Sequence, residues 1–510
     1  MRSPSNDLHE LIHSLSPREI TACRKRMRDF DSDMRRLFEA FLGQTVYHDA
    51  DCRTATGRTW NDNQWSVAKN YLHQSIMAVL VHRRKHELSA WNVRTHLQYL
   101  EILYGKELYR QCHKKLEQIA RTVEKLDDPV LRNEIIQWRY RLHSRNYHQV
   151  PMEEFEALHA AFKENNLALQ EYLHCQYLHQ QYQFVLRNRG LVQERGLLVE
   201  AFAGIMSDPL LQDDAQPASL ATQLLADYTL GTWKYLHADF QGAHQRFQRI
   251  VREMELRKGW QMSHPELFFG SLYWYSLCTI EIYDFDESRR ILARMEALRA
   301  DSPYNKARLF FYKAQLNRSL TSLLGDSRAN LKVAREILRD LPRHQERCRP
   351  AEVVNLYFNV VLSFIIGGSH SEAMHCYHLI LQQKVVRELP EYDLTSKTLL
   401  LLLCLENGDR DLYRHHRRSL RRILNKKPGA YPLEDLVLDG LGAYAGARNE
   451  QDRIQAFENL IVQLEALEGV AANYYFDYDA WCRSCLGQGS FLEIYQRKAL
   501  RKLSPTFTKT

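Results

Sequence analysis

The feature that most constrains this chain is a short turn signal that returns at near-constant spacing. It stands at Leu108-Tyr109, Asn146-Tyr147, Gly190-Leu191, Asp239-Phe240, Asp284-Phe285, Asp326-Ser327, Ser369-His370, Asp409-Arg410, Asn449-Glu450 and Ser490-Phe491. The mean interval is about 42 residues. Such a period marks an array in which each unit buries its apolar face against its neighbours. A chain of 510 residues must divide into domains or grow along one axis as an array, because one apolar core usually stops growing near ~250–300 residues.

The units are helical. The chain holds 21 Gly and 14 Pro, where average usage would give roughly 36 and 26. Helix interiors reject both residues, so the deficit points to long helices and few hairpin turns. Tyr413, His416, Leu420, Ile423 and Leu424 recur at three- and four-residue steps, with Arg414, Arg417, Arg418, Arg421 and Arg422 between them. No stretch alternates at period two for long enough to demand a sheet. The expected class is all-α.

The best-formed unit runs from Leu230-Gly231 through Asp239-Phe240 to Ala243 and Phe247. Two helices that cross closely need small side chains at the crossing, a role assigned to Gly231 and Ala243. Phe247 lies one turn beyond Ala243 and fills the space past the crossing. Phe285 takes the turn position of the next unit, and Ala373 and Tyr377 the small and aromatic positions of a later one. This pattern resembles the tetratricopeptide repeat, whose period of about 34 is shorter by roughly two helical turns. The resemblance implies an α-solenoid of about ten tetratricopeptide-like antiparallel helix pairs over residues 89–503, with a short tail at 504–510.

Residues 1–88 read as a separate small helical domain or cap. Leu8, Leu11, Ile12 and Leu15 form an amphipathic helix, and Ser16-Pro17-Arg18-Glu19 is a start signal with Ser16 as cap and Glu19 closing a capping box. Met34 to Leu42 predicts a further helix, 43–63 a loop, and Trp65 to His82 another helix. The run Leu8-His9-Glu10-Leu11-Ile12-His13-Ser14-Leu15-Ser16-Pro17-Arg18-Glu19, then Val67-Ala68-Lys69-Asn70-Tyr71-Leu72 and Leu103-Tyr104-Gly105-Lys106-Glu107-Leu108-Tyr109, resembles an uncharacterised family of helical-repeat proteins, chiefly from Bacteroidota. So does Tyr475-Phe476-Asp477-Tyr478-Asp479-Ala480-Trp481 with Ser490-Phe491-Leu492-Glu493-Ile494 near the C-terminus. Ile20-Thr21-Ala22-Cys23 departs from that family's more basic, aromatic stretch. The resemblance implies a repeat fold and a cytoplasmic protein, and assigns no activity.

Composition narrows the function. Lys+Arg 69 against Asp+Glu 62 gives a net charge of +7, a light balance for a protein that coats nucleic acid. The first ten residues carry no apolar signal core, and the longest apolar runs fall short of the ~20 residues of a membrane span. Ten cysteines, scattered apart from one pair, suit reduced core positions in the cytoplasm.

Several constellations compete with a bland reading. Trp481-Cys482-Arg483-Ser484-Cys485 has the thioredoxin-type spacing but no strand before it, so two packed cysteines are preferred. His375 and His378 could share a helix face, yet no third metal ligand accompanies them. Gly367-Gly368-Ser369-His370 reads as an interhelical bend. No phosphate-binding glycine loop, dinucleotide fingerprint or hydrolase elbow occurs, so no cofactor, metal or catalytic residue is expected. Arg414, Arg417, Arg418, Arg421 and Arg422 form the candidate anion or partner surface. Arg24-Lys25-Arg26-Arg28 and Arg83-Arg84-Lys85 are further basic clusters. Trp233, Tyr235, Tyr273, Trp274, Tyr275, Tyr357, Phe358 and Phe364 crowd the first helices, where most should be core and a minority could form peptide-anchoring pockets.

The expected protein is therefore a non-catalytic scaffold that binds a protein or peptide partner in its concave groove. The alternatives are a regulator whose residues 1–88 contact DNA, and a thiol redox protein using Cys482 and Cys485.

Overall fold

A computed structural model describes residues 6–28, 32–83, 90–145, 150–189, 202–300, 302–384, 386, 390–426, 431–467 and 476–501, and every regular element among them is helical. The described residues group into two compact units. The first comprises Met1–Tyr172, Ala218–Ala221 and Met254–His264, and the second Leu173–Pro217, Thr222–Glu253 and Pro265–Thr510. This division differs from the sequence boundary at 88/89. Even so, residues 8–79 fill an apolar cluster of their own within the first unit, around Ile12, Cys23, Leu37, Phe38, Phe41, Trp65 and Leu72. The tail at 504–510 and Tyr475 lie outside the described residues.

That N-terminal cluster is built by α1 (Asp7–His13), α2 (Pro17–Arg28), α3 (Ser32–Leu42), α4 (Asp49–Ala55) and α5 (Asp62–Arg83). The capping box forms as the sequence implies: the Ser16 backbone N–H donates to Glu19 Oε2 at 2.7 Å, and the Glu19 N–H donates to Ser16 Oγ at 3.4 Å. The loop expected over 43–63 needs correction, because α4 and the first two residues of α5 fall inside it. Asp49 explains this. Its carboxylate accepts from Tyr47 Oη at 2.5 Å, Trp65 Nε1 at 2.8 Å and Lys69 Nζ at 3.1 Å, which pins a short helix that its own sequence would not hold.

The rest of the first unit includes α6 (Ala90–Gly105), α7 (Tyr109–Leu126) and α8 (Pro129–His143). Helix α9 (Met152–Arg189) is divided between the units at Tyr172 and Leu173. Then follow α10 (Leu220–Leu236), α11 (Phe240–Leu256), α12 (Pro265–Glu281), α13 (Phe285–Ala297), α14 (Pro303–Leu323), α15 (Ser327–Asp340), α16 (Pro350–Ile366), α17 (His370–Leu381), α18 (Pro390–Glu406), α19 (Arg410–Leu424), α20 (Pro432–Gly446), α21 (Glu450–Leu467), α22 (Tyr478–Cys485) and α23 (Phe491–Arg501). From Ala307 to Ile494 the second unit shares one continuous apolar core.

Helices α7, α11, α13, α15, α17, α19, α21 and α23 begin at the second residue of an expected turn signal: Tyr109, Phe240, Phe285, Ser327, His370, Arg410, Glu450 and Phe491. The signals at Asn146-Tyr147 and Gly190-Leu191 lie outside the described residues. The turns share an atomic plan. Glu107, Ala238, Tyr283, Gly325, Gly368 and Gly408 all adopt left-handed φ between 60° and 72°. The next N–H then reaches back five residues: Leu108 to Leu103 O at 3.0 Å, Asp239 to Lys234 O at 2.9 Å, Asp284 to Thr279 O at 2.8 Å, Ser369 to Phe364 O at 2.8 Å and Asp409 to Cys404 O at 2.9 Å. This is the Schellman closure of a helix C-terminus. The same residue caps the following helix wherever it is aspartate. Asp239, Asp284, Asp326 and Asp409 accept from the N–H three residues on at 2.9–3.0 Å.

At the best-formed pair, Ala243 and Phe247 are both fully buried. A Cβ on Gly231 would lie 2.8 Å from Phe247 Cε2 and Cζ. Ala373 and Tyr377 are buried in α17, and Leu230 is buried in α10. Gly231→Ala is expected to cost about 1–3 kcal/mol despite the better helix propensity of alanine, and Ala243→Leu a similar amount. In a Phe247→Leu background the Gly231→Ala cost should shrink. Urea midpoints of the three variants check this, and an unchanged midpoint for Ala243→Leu contradicts the assigned crossing.

Candidate functional site

The cysteine pair sits on the short helix α22, capped by Asp477, whose Oδ1 accepts from the Ala480 N–H at 2.9 Å. Cys482 lies in the fifth position of that helix and is fully buried. Burial pushes its thiol far above the usual range, with the neighbouring Cys485 and Asp479 adding to the effect. Cys485 is exposed as a residue, yet crowding around its sulfur and the nearby Glu406 push its thiol up to about 12. Redox cysteines of this spacing act through a stabilised thiolate, and here both shifts run the other way. Iodoacetamide at pH 7 should therefore leave Cys482 unmodified in the folded protein and modify Cys485 at least about tenfold more slowly than free cysteine. Faster labelling than free cysteine, followed by peptide mass spectrometry, contradicts this geometry.

The histidines disperse. His375 and His378 both face solvent on α17, and no cluster of three metal-type ligands occurs among the described residues. Gly367-Gly368-Ser369-His370 forms the α16–α17 bend, with Gly368 at φ 69°. His370 Nε2 lies 3.5 Å from Glu406 Oε2.

The five arginines of α19 divide into two rows. Arg421 turns toward α20, with Nη1 3.2 Å from Asp435 and a second contact to Asp439. Arg417 lies against the backbone of Gly442, where a Cβ would strike its guanidinium. Arg414, Arg418 and Arg422 form the outer row at four-residue spacing and are exposed. Arg414 Nη1 meets Asp411 at 3.3 Å. Arg421 is thus an interhelical fastener, Arg417 packs at the same seam, and the three outer arginines remain for an anion-binding surface.

In the N-terminal cluster, Arg24 is engaged. Its Nε and Nη2 each donate to Glu39 at 2.7 Å, which holds the Glu39 carboxyl below its usual range. Lys25 and Arg26 are exposed on the same helix. The Arg84-Lys85 positions lie outside the described residues.

The aromatic residues of the first helices sort by depth. Tyr275, Tyr357, Phe358 and Phe364 are core. Trp233, Tyr235, Tyr273 and Trp274 are half-buried. In the second unit Tyr235, Tyr273 and Trp274 join a continuous row that includes Tyr228 and Tyr312, whereas Trp233 packs on Phe202 and His237. Trp274 Nε1 donates to Tyr228 Oη at 3.1 Å, and its ring stands 5.2 Å from Tyr235. Tyr235 Oη donates to Glu281 Oε1 at 3.2 Å. Tyr273 stacks on Tyr312 with centroids 4.7 Å apart. Arg308 lies 5.9 Å from the Tyr312 ring and clamps Glu352 with two hydrogen bonds, one of 2.6 Å. Asn359 Nδ2 donates to Gln315 Oε1 at 2.7 Å.

The row draws Tyr228 and Tyr235 from α10, Tyr273 and Trp274 from α12 and Tyr312 from α14, and α16 braces it through Glu352 and Asn359. Periodicity explains the alignment: Tyr228 and Tyr235 are seven apart, and Arg308, Tyr312 and Gln315 stand at i, i+4 and i+7. Tyr228, Arg308, Tyr312 and Gln315 were missed by sequence reasoning, which had followed aromatic density rather than this second helical face. Half-buried rings with polar tips are the side-chain type that anchors peptides at interfaces.

No family model, no curated protein and no solved structure matches this chain. Among the described residues no helix is long and apolar enough to cross a membrane.

Proposed function

We propose that the chain is a non-catalytic helical-repeat scaffold of about ten tetratricopeptide-like pairs, and that the first helices of its second unit line a groove for an extended peptide or a segment of a protein partner. The observation that carries this reading is the half-buried row Tyr228, Tyr235, Tyr273, Trp274 and Tyr312, drawn from consecutive first helices. A scaffold with no ligand to hold would gain more by packing such rings fully, because each large aromatic carries a substantial apolar surface. Rigid rings also bind at low cost in side-chain entropy. The paired Arg308–Glu352 and Asn359–Gln315 contacts keep that row in place between helices. The outer arginines of α19 belong to a different face and serve solubility in this reading.

The experiment is an array of defined decapeptides probed with the full chain, with Trp fluorescence to follow binding in solution. Tyr235→Ala and Trp274→Ala should each weaken the bound peptides by about tenfold or more, the scale of an interface anchor. Replacing Arg414, Arg418 and Arg422 together by Gln should change affinity by less than about twofold. Equal losses from both sets, or no peptide bound at all, contradict the proposal.

A further inference from the structure

In the aromatic row of the second unit four rings follow one another without a gap: Tyr235 of α10, Trp274 and Tyr273 of α12, and Tyr312 of α14. Their centroids stand 5.2, 5.7 and 4.7 Å apart, and the successive planes meet at 66°, 63° and 24°. Steeply inclined neighbours leave wedge-shaped slots between their faces, which suit a compact apolar ring better than a flat stack would. Trp274 is set in place by its indole N–H, which donates to Tyr228 Oη at 3.1 Å. Tyr228 in turn reaches over Gly270, one turn before Trp274, where a Cβ would stand 2.7 Å from the phenol oxygen.

The polar groups beside these rings are unequally committed. Both carboxylates are taken: Glu281 accepts from Tyr235 Oη at 3.2 Å, and Glu352 accepts from Arg308 at 2.6 Å. The hydroxyls of Tyr273 and Tyr312 have no hydrogen-bond partner among the described residues. Burial raises both phenols above their ordinary range, so each keeps its proton and can donate. The elements that build the row are all helices, whose backbone groups are spent within the helix. The row therefore offers donors to a ligand's carbonyls and no sheet edge to its N–H groups.

An ordinary extended peptide carries one N–H for each carbonyl, and those facing such a groove would go without partners. A proline-rich chain removes them, because proline has no N–H. In the polyproline II conformation it has threefold symmetry and rises ~3.1 Å per residue, so residues i and i+3 face the same way about 9 Å apart. Packed helices stand ~8–10 Å apart, and α12 and α14 pack directly on each other. A β-type strand alternates with period two and would turn every third residue away. We infer that the groove is built for a proline-rich segment in the polyproline II conformation, with one proline to each first helix. The prolines sit in the slots between Tyr235, Trp274 and Tyr273, and the Tyr273 and Tyr312 hydroxyls donate to the segment's carbonyl oxygens. This assignment rests on the groove reading above and adds the chemistry of its occupant.

The test uses the full chain and calorimetric titration with decapeptides capped at both ends: decaproline, a Gly/Ser peptide with four prolines at every third position, one with four prolines at every second position, and a Gly/Ser peptide without proline. Decaproline and the third-spaced peptide should bind at least about tenfold more tightly than the proline-free one. The third-spaced peptide should also bind several-fold more tightly than the second-spaced one. Trp274→Ala and Tyr235→Ala should each remove the proline preference. Tyr273→Phe and Tyr312→Phe keep the rings and lose only the donors; each should weaken decaproline several-fold while melting as the wild-type protein does.

A proline preference that survives Trp274→Ala overturns the inference, as does unchanged decaproline affinity in both Tyr→Phe variants. Tighter binding of a helix-forming Ala/Glu/Lys decapeptide than of decaproline overturns it too. If peptides bind alike with or without proline but Trp274→Ala loses them all, the groove stands and this occupant falls. If no peptide binds, both fall together.

Discussion

Six helix hairpins among the described residues turn on a left-handed residue, and at Asp239, Asp284 and Asp409 the residue after it both closes the outgoing helix and caps the incoming one. The closure satisfies a carbonyl that a helix end would otherwise leave bare, and the cap satisfies an N–H at the next start. Where both functions fall on one residue, the chain reverses within a few positions. The two helices leave the turn antiparallel and close. That proximity is why Gly231 sits against the Phe247 ring and why Ala243 and Ala373 are fully buried. The left-handed position is tolerated at a cost by Ala238 and Tyr283 and freely by Gly325, Gly368 and Gly408.

Once helices alternate in this way, first helices fall next to first helices, and side chains on their common face form a row. The proposed groove follows from that order. Second helices contribute different chemistry. On α19 Arg414, Arg418 and Arg422 point outward, while Arg421 pairs with α20 and Arg417 packs against Gly442.

The turns were legible in the sequence because their chemistry is local. An aspartate placed just before an apolar-periodic run acts within three residues, so Asp239, Asp284, Asp326 and Asp409 announce themselves, as does the Ser16–Glu19 box. Helix α4 was hidden because it is held by Trp65 and Lys69, which lie more than ten residues away in the chain. The division of the α19 arginines was hidden for the same reason, although Asp435 and Asp439, one helical turn apart, were a readable hint of the partner face.

The most direct test of the hairpin account compares two substitutions of opposite expected sign. Ala238→Gly relieves a left-handed alanine and should raise the urea midpoint by the equivalent of about 0.5–1 kcal/mol. Gly408→Ala meets no atom within 4 Å, so crowding plays no part, and it should lower the midpoint by about 1–2 kcal/mol from backbone strain alone. Shifts of the same sign, or none at either position, would contradict the shared turn on which the fold is built.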